Sequence, residues 1–202
     1  MTQRFSIHPR NPQQRLIDQA AQLLRDGELI VVPTDTTYAL CCHLGDKRAL
    51  EQLRQLRRLP DNHRLTLMVR DLAELATYAR VDNTDFRVLK HYTPGPFTFV
   101  LLASREVPRR LLHPKRKTVG LRVPDSAICQ ALLAAHGEPV LTTTLKLPGA
   151  DDPLTDPQDA YDALAGRVAL IIDGGAGGFE PTTVVDLEGD GGVIRQGAGQ
   201  YG

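Results

Sequence analysis

Apolar positions alternate with polar ones in two distinct rhythms along this chain. Leu16, Ile17, Ala20, Leu23 and Leu24 form one stripe at helical spacing, opened by Asn11-Pro12-Gln13-Gln14 and stopped by Gly27. Asn11 is expected to cap this helix, with Gln14 closing a capping box. Short apolar runs at Leu29–Val32, Leu65–Val69, Phe97–Ala103, Thr118–Val123, Val140–Thr144, Val168–Asp173, Thr183–Leu187 and Val193–Arg195 read as strands. Further helices are expected after the caps Asp46, Asp71 and Asp125, from about Asn83 through Phe86 and Leu89, and from Asp156-Pro157. Asp71 and Glu74 have capping-box spacing. Strands and helices alternate with short connections. The pattern predicts a single α/β domain over residues 1–202, built on a twisted, open, mixed sheet with helices packed on it. No repeat or low-complexity tract interrupts it.

Composition removes several classes of function. The 202 residues include 42% apolar and 24% charged side chains, ordinary for a globular domain. No apolar run exceeds about five residues, against the roughly 18 of a membrane span, so no membrane partner is expected. The N-terminus has no apolar core of a secretion signal. Cys41 and Cys42 are adjacent and Cys129 stands alone, which suits a reducing cytoplasm and offers neither metal-ligand nor redox spacing. No protein-held metal and no tightly bound cofactor are expected.

The zero net charge conceals an asymmetry. Residues 1–150 carry 22 basic and 14 acidic side chains, whereas residues 151–190 carry 10 acidic and one basic. Basic residues concentrate at Arg54, Arg57, Arg58, Arg64 and Arg70, and again from Arg105 to Arg122. Such clusters suit nucleotide phosphates or RNA, or else a solvated face neutralised by the acidic segment; nothing points to a DNA-specific partner.

Candidate chemistry sits at strand ends. No Walker loop, His-Glu-x-x-His or Gly-x-Ser-x-Gly occurs, and the six histidines are scattered. Gly174-Gly175-Ala176-Gly177-Gly178 reads as a flexible connection rather than a phosphate cradle. Pro33-Thr34-Asp35-Thr36-Thr37-Tyr38 follows the first apolar strand, where ligand crevices open in α/β sheets. Thr142-Thr143-Thr144-Leu145-Lys146 follows another, although Thr142 and Thr143 alone are expected to reflect only the strand preference of threonine.

The stretch Pro33–Leu40 resembles the signature of the YrdC-like family, the threonylcarbamoyl-AMP synthases. Other blocks match in order: Thr93-Pro94-Gly95-Pro96-Phe97-Thr98, Gly120–Pro124, Gly137–Val140, Asp173-Gly174-Gly175, Thr182–Asp186 and Arg195–Ala198. The Pro108–Leu112 and Lys115–Thr118 stretch resembles the YciO branch. The resemblance implies the following reaction. Threonine and bicarbonate form a carbamate, the carbamate attacks the α-phosphate of Mg²⁺-bound ATP, and pyrophosphate leaves. The product, threonylcarbamoyl-AMP, is the donor for a tRNA adenosine modification. ATP with Mg²⁺, L-threonine and bicarbonate are thus the implied partners, with RNA or tRNA as a further one.

The same resemblance assigns residues. Thr34, Asp35, Thr36 and Arg122 are expected at the threonine pocket, with Asp35 equally suited to buttressing the loop. Arg57, Thr144 and Lys146 are expected to be catalytic, and Thr144, Lys146, Thr183 and Arg195 to contact nucleotide. The basic run, read from its charge, adds Arg109, Arg110, Lys115, Arg116 and Lys117, which are expected to face RNA, with a plain solvated turn as the other reading for Lys115–Lys117. Two family motifs are altered. In K-x-R the lysine is Arg57 and the arginine is Leu59, and in S-x-N the serine is Thr144 and the asparagine is Lys146. An arginine fork and a lysine point charge are not interchangeable, so weakened or altered synthase activity is expected. Three readings stay open: a slow YciO-type synthase, an RNA-binding protein without efficient catalysis, and an enzyme on a related carbamoyl or acyl adenylate.

Overall fold

A computed structural model describes residues 1–202. Ten strands form one mixed sheet: β1 Gln3–Ser6, β2 Ile30–Pro33, β3 Tyr38–His43, β4 Thr66–Met68, β5 Phe97–Leu102, β6 Thr118–Arg122, β7 Val140–Thr144, β8 Leu170–Asp173, β9 Thr183–Asp186 and β10 Val193–Arg195. Their spatial order is β1-β8-β2-β3-β7-β4-β6-β5-β9-β10. The centre is antiparallel, with β3 between β2 and β7, while β2–β8, β4–β6 and β5–β9 are parallel. The expected α/β class with a mixed sheet is the one found.

The helices are α1 Gln14–Arg25, α2 Lys47–Arg57, α3 Leu72–Tyr78, α4 Asn83–Tyr92, α5 Ala127–His136 and α6 Pro157–Leu164. Strand periodicity assigns them to two faces. Ile30, Val32, Ala39 and Cys41 point to one side, where Ile17, Ala20 and Leu24 of α1 and Ile128, Leu132 and Leu133 of α5 cover them. Val31, Leu40, Cys42, Leu67 and Leu121 point to the other, under Leu50, Leu53 and Leu56 of α2, Leu75 of α3, Leu89 of α4 and Leu164 of α6. A sheet covered on both faces needs apolar residues at successive positions, which is why β2 and β3 are nearly continuous apolar runs.

Asp46, Asp71 and Asp156 cap α2, α3 and α6 as expected. Three local expectations are corrected. Asn11 does not cap α1: the backbone N–H groups of Arg10 and Asn11 turn onto His8 Nδ1, and the helix begins only at Gln14, after Gln13, with no side-chain cap. Glu74 does not close a box on Asp71 but accepts from Arg70 N. Ser126 rather than Asp125 caps α5, accepting from Cys129 N. The run pattern does not mark β1 or β3 as strands. The polar turn before Tyr38 makes that segment read as part of a ligand loop, although Tyr38–Cys42 is wholly apolar and buried.

Candidate functional site

The turn between β2 and β3 is built by its own threonines. Thr34 Oγ1 donates to Thr37 O (2.6 Å) and accepts from Thr36 N (3.1 Å), an arrangement typical of hydroxyl-closed turns. The glycine-rich connection between β8 and β9 locks onto it. Gly178 N donates to Thr36 O at 2.8 Å, Gly177 N to Thr155 O at 2.8 Å, and Tyr38 Oη to Gly175 O at 2.7 Å. A Cβ on Gly178 would lie 2.5 Å from Thr36 O, so only glycine permits this approach. The segment expected to be a flexible connection is therefore a fixed clamp on the turn. Burial drives the Tyr38 phenol up to about 12, so it acts as a neutral bridge.

Beside this turn, over the ends of β3, β5, β7 and β9, opens a cavity of about 250 Å³. Thr36, Thr37, Thr66, Thr98, Thr142, Thr143, Thr144 and Thr182 line it with Arg57, His63, Arg64, Arg122, Lys146 and Arg195, and no carboxylate lines it. The cations come from separate elements. Arg57 is in the last turn of α2, Arg64 in the loop before β4, Arg122 at the end of β6, Lys146 just past β7 and Arg195 on β10.

Their neutralisation differs. Arg122 Nη2 pairs with Asp35 Oδ1, with side chains only 8% and 10% exposed, and Arg122 Nη1 lies 3.4 Å from Thr36 Oγ1. Arg57, Arg64, Lys146 and Arg195 have no carboxylate within 4.0 Å. Arg57 Nη1 donates to Lys146 O, and its Nε is buried without a partner. Arg195 Nη2 donates to Thr182 O at 2.8 Å. Burial lowers the pKa of both Arg57 and Arg195 from its ordinary value. Burial, followed by Arg57, Arg54, Arg195 and Arg64, holds His63 below the ordinary histidine value of 6.5. The shifts report partly desolvated cations, and at His63 also the neighbouring arginines; it is the absence of carboxylates from the wall that leaves the pocket open to an anion.

Among the expected site residues, Thr36, Arg57, Arg122, Thr144, Lys146 and Arg195 meet in this cavity. Thr34 does not line it, since its hydroxyl is spent within the turn. Asp35 takes the buttressing role, as the partner of Arg122. Thr183 is replaced by its neighbour. It is fully buried, donating to Gly199 O at 2.7 Å and accepting from Gly197 N at 2.9 Å, while Thr182 reaches the cavity and shares a 2.7 Å hydroxyl bond with Thr98. Thr142 and Thr143, expected to be ordinary strand residues, line the cavity. Leu59 lies outside it. His63 and Arg64 were missed; the only signal for them was the basic run from Arg54 to Arg70.

A second cleft, of about 480 Å³, continues from the first and shares His63 and Arg64 with it. Arg54, Arg109, Arg110 and Lys117 line it against a single carboxylate, Asp61. Arg109 and Arg110 sit on a short 3-10 turn, Arg109–Leu111. Two of the expected RNA-facing residues are not part of this cleft. Lys115 lies outside it, and Arg116 is held by both carboxylate oxygens of Asp186 at 2.8 Å.

No helix is long and apolar enough to cross a membrane. A family model described as Sua5_yciO_yrdC, "Telomere recombination", matches residues 22–197. The chain is 54% identical to "Uncharacterized protein YciO" of Escherichia coli K12 over 200 residues, covering 98% of this chain and 97% of that protein. It is 33% identical to the threonylcarbamoyl-AMP synthase of Bos taurus over 86% of this chain, and that match spans 65% of the synthase. The crystal structure of E. coli YciO superposes with a TM-score of 0.95 at 54% identity, covering 99% of this chain and 98% of that one. P. abyssi Sua5 complexed with L-threonine superposes with a TM-score of 0.89 at 26% identity, covering 97% of this chain and 58% of Sua5. The motifs at the strand ends, the fold that gathers them around one cationic cavity and the matched length together place this chain in the Sua5/YciO/YrdC family.

Proposed function

We propose that this chain is a YciO-type enzyme that forms threonylcarbamoyl-AMP from ATP, L-threonine and bicarbonate, as donor for a tRNA adenosine modification in the cytoplasm. The observation that carries the reading is a cavity with four cations lacking carboxylate partners, Arg57, Arg64, Lys146 and Arg195, and a wall of threonine hydroxyls. The reaction crowds together three anions: an amino-acid carboxylate, a carbamate and a triphosphate. Fixed cations offset their repulsion, and hydroxyls orient them. P. abyssi Sua5, which shares this fold, is complexed with L-threonine, which supports an amino-acid substrate here; the Thr36 turn is the side of the cavity proposed to receive it. No carboxylate lines the cavity, so any Mg²⁺ would be carried in with the triphosphate as part of the substrate.

Turnover is expected to be lower than that of a K-x-R, S-x-N synthase. Lys146 stands where the resemblance implies a neutral asparagine, and Leu59 brings no charge to the cavity. Arg64 supplies a cation from a different loop, at a different place. A reacting group displaced by about 1 Å loses roughly 10²-fold in rate. The test is pyrophosphate release with Mg²⁺-ATP and bicarbonate, with and without threonine, reading the product by mass spectrometry. Threonine-dependent threonylcarbamoyl-AMP is the expected result, and its absence while Mg²⁺-ATP is still bound would overturn the assignment.

The second cleft favours one additional reading, an RNA or tRNA backbone docked beside the reaction site. Arg54, Arg64, Arg109, Arg110 and Lys117 present cations along it. Phosphate binding of this kind weakens steeply with salt. Arg109→Glu, Arg110→Glu and Lys117→Glu together should abolish RNA retention. Unchanged retention would remove this reading.

A further inference from the structure

About four residues up β3 from the cavity-lining Ala39, roughly 13 Å at strand rise, the fold assembles a cluster that the reaction does not use. His43 ends β3, His136 ends α5, and Glu138 lies two residues later in the turn into β7. These positions are scattered in the sequence, but the pairing of His43 with Val140 brings the strand end beside that turn. His43 Nδ1 faces His136 Nε2 at 3.0 Å, and Glu138 Oε2 is 3.7 Å from the same His43 nitrogen. One ligand atom from each residue lies within 4.8 Å of the other two.

We infer that His43 Nδ1, His136 Nε2 and a carboxylate oxygen of Glu138 form a binding site for a divalent late first-row metal ion of the zinc class. With Zn–N and Zn–O bonds of about 2.0–2.2 Å, tetrahedral ligand atoms stand roughly 3.3 Å apart. The histidine pair is already near that separation, and Glu138 closes the remainder by rotating an exposed side chain. Two imidazole nitrogens and one carboxylate oxygen are the donor types this class of ion prefers. Glu138 also supplies the negative charge. The nearby opposing cation is Arg25, whose Nη1 donates to the Ala135 carbonyl at 3.1 Å beside His136. His136 is buried and fixed by α5, whereas His43 is partly exposed and Glu138 is exposed, so the fourth position accepts water. The bound ion fastens the end of α5 to β3 and β7 at the end of the strands away from the cavity. Its role is to tie these elements together, not to take part in the reaction.

The test uses the full chain, stripped with a chelator and then titrated with Zn²⁺ alone by calorimetry, with Co²⁺ absorption to report coordination. One equivalent per chain is expected, with a tetrahedral Co²⁺ spectrum and a raised thermal midpoint. His43→Ala and Glu138→Gln are each expected to weaken binding by at least about tenfold, the lower bound for losing even an outer partner of a metal. Both positions are at least partly exposed, so these variants fold where His136→Ala could fail to. His91→Ala, on the exposed face of α4, is the control and should bind as the parent does. Absence of saturable binding would overturn the site and leave the two rings as an ordinary N–H···N pair. Equal affinity in the His43, Glu138 and His91 variants would overturn it as well, by placing the ion elsewhere.

Discussion

Arg122 and Lys146 face the same cavity, yet they stand in opposite electrostatic circumstances. Arg122 is neutralised by Asp35 in a pair that is about nine-tenths buried, whereas Lys146 has no carboxylate partner and neither do Arg57, Arg64 and Arg195. A charge paired inside the protein is part of the fold, because removing either member strands the other in a low dielectric. A charge left unpaired at the wall of a cavity is available to something that arrives from outside. The two groups should therefore separate cleanly when mutated: one in stability, the other in affinity.

The largest effect expected is on the paired side. Arg122→Leu should cost about 3–5 kcal/mol, the range for orphaning one member of a buried pair, measured by urea unfolding. The Asp35→Leu/Arg122→Leu double variant should recover much of that loss, and failure to recover would mean that the pair is not the unit of stability. Next comes the unpaired side. Arg64→Ala, at an exposed position, should change stability by under about 0.5 kcal/mol. It should nevertheless weaken Mg²⁺-ATP about tenfold, equivalent to roughly 1.4 kcal/mol, in line with one charge-assisted hydrogen bond. Between the groups lies the hydroxyl wall. Thr98→Val removes the 2.7 Å bond to Thr182 and should cost about 1 kcal/mol, with only a few-fold change in nucleotide affinity.

The smallest effect is a pH dependence. His63 is held below 6.5 by burial and by the surrounding arginines. A bound polyanion opposes those arginines and raises its pKa, so binding takes up a proton. Affinity for Mg²⁺-ATP should therefore rise as pH falls through the His63 pKa of the complex, and level off below that of the free protein. His63→Phe should flatten this profile, and an unchanged profile would detach His63 from the ligand.

What the sequence revealed depended on how local each cause was. Caps such as Asp46 and Asp156 act within three residues and were legible. Asn11 is not the cap because the chain first turns onto His8 Nδ1 and the helix starts only at Gln14, three residues later. At the site, motif resemblance found Arg57, Arg122, Thr144, Lys146 and Arg195, all of which reach the cavity. It missed by one residue at Thr182 and Thr183. Both hydroxyls are buried, and the difference lies in the return of the chain at Gly197–Gly199, which captures Thr183. Arg116 looked free because its partner, Asp186, is 70 residues away. The histidine pair was equally hidden, since only the β3–β7 pairing joins His43 to the end of α5.

The most direct measurement is the calorimetric affinity of the Arg57→Ala/Lys146→Met variant for Mg²⁺-ATP, with urea unfolding of the same preparation. If these cations are held for an anionic ligand, affinity falls at least about tenfold while the unfolding free energy changes by less than about 1 kcal/mol. Undiminished affinity in a stably folded variant would contradict the account.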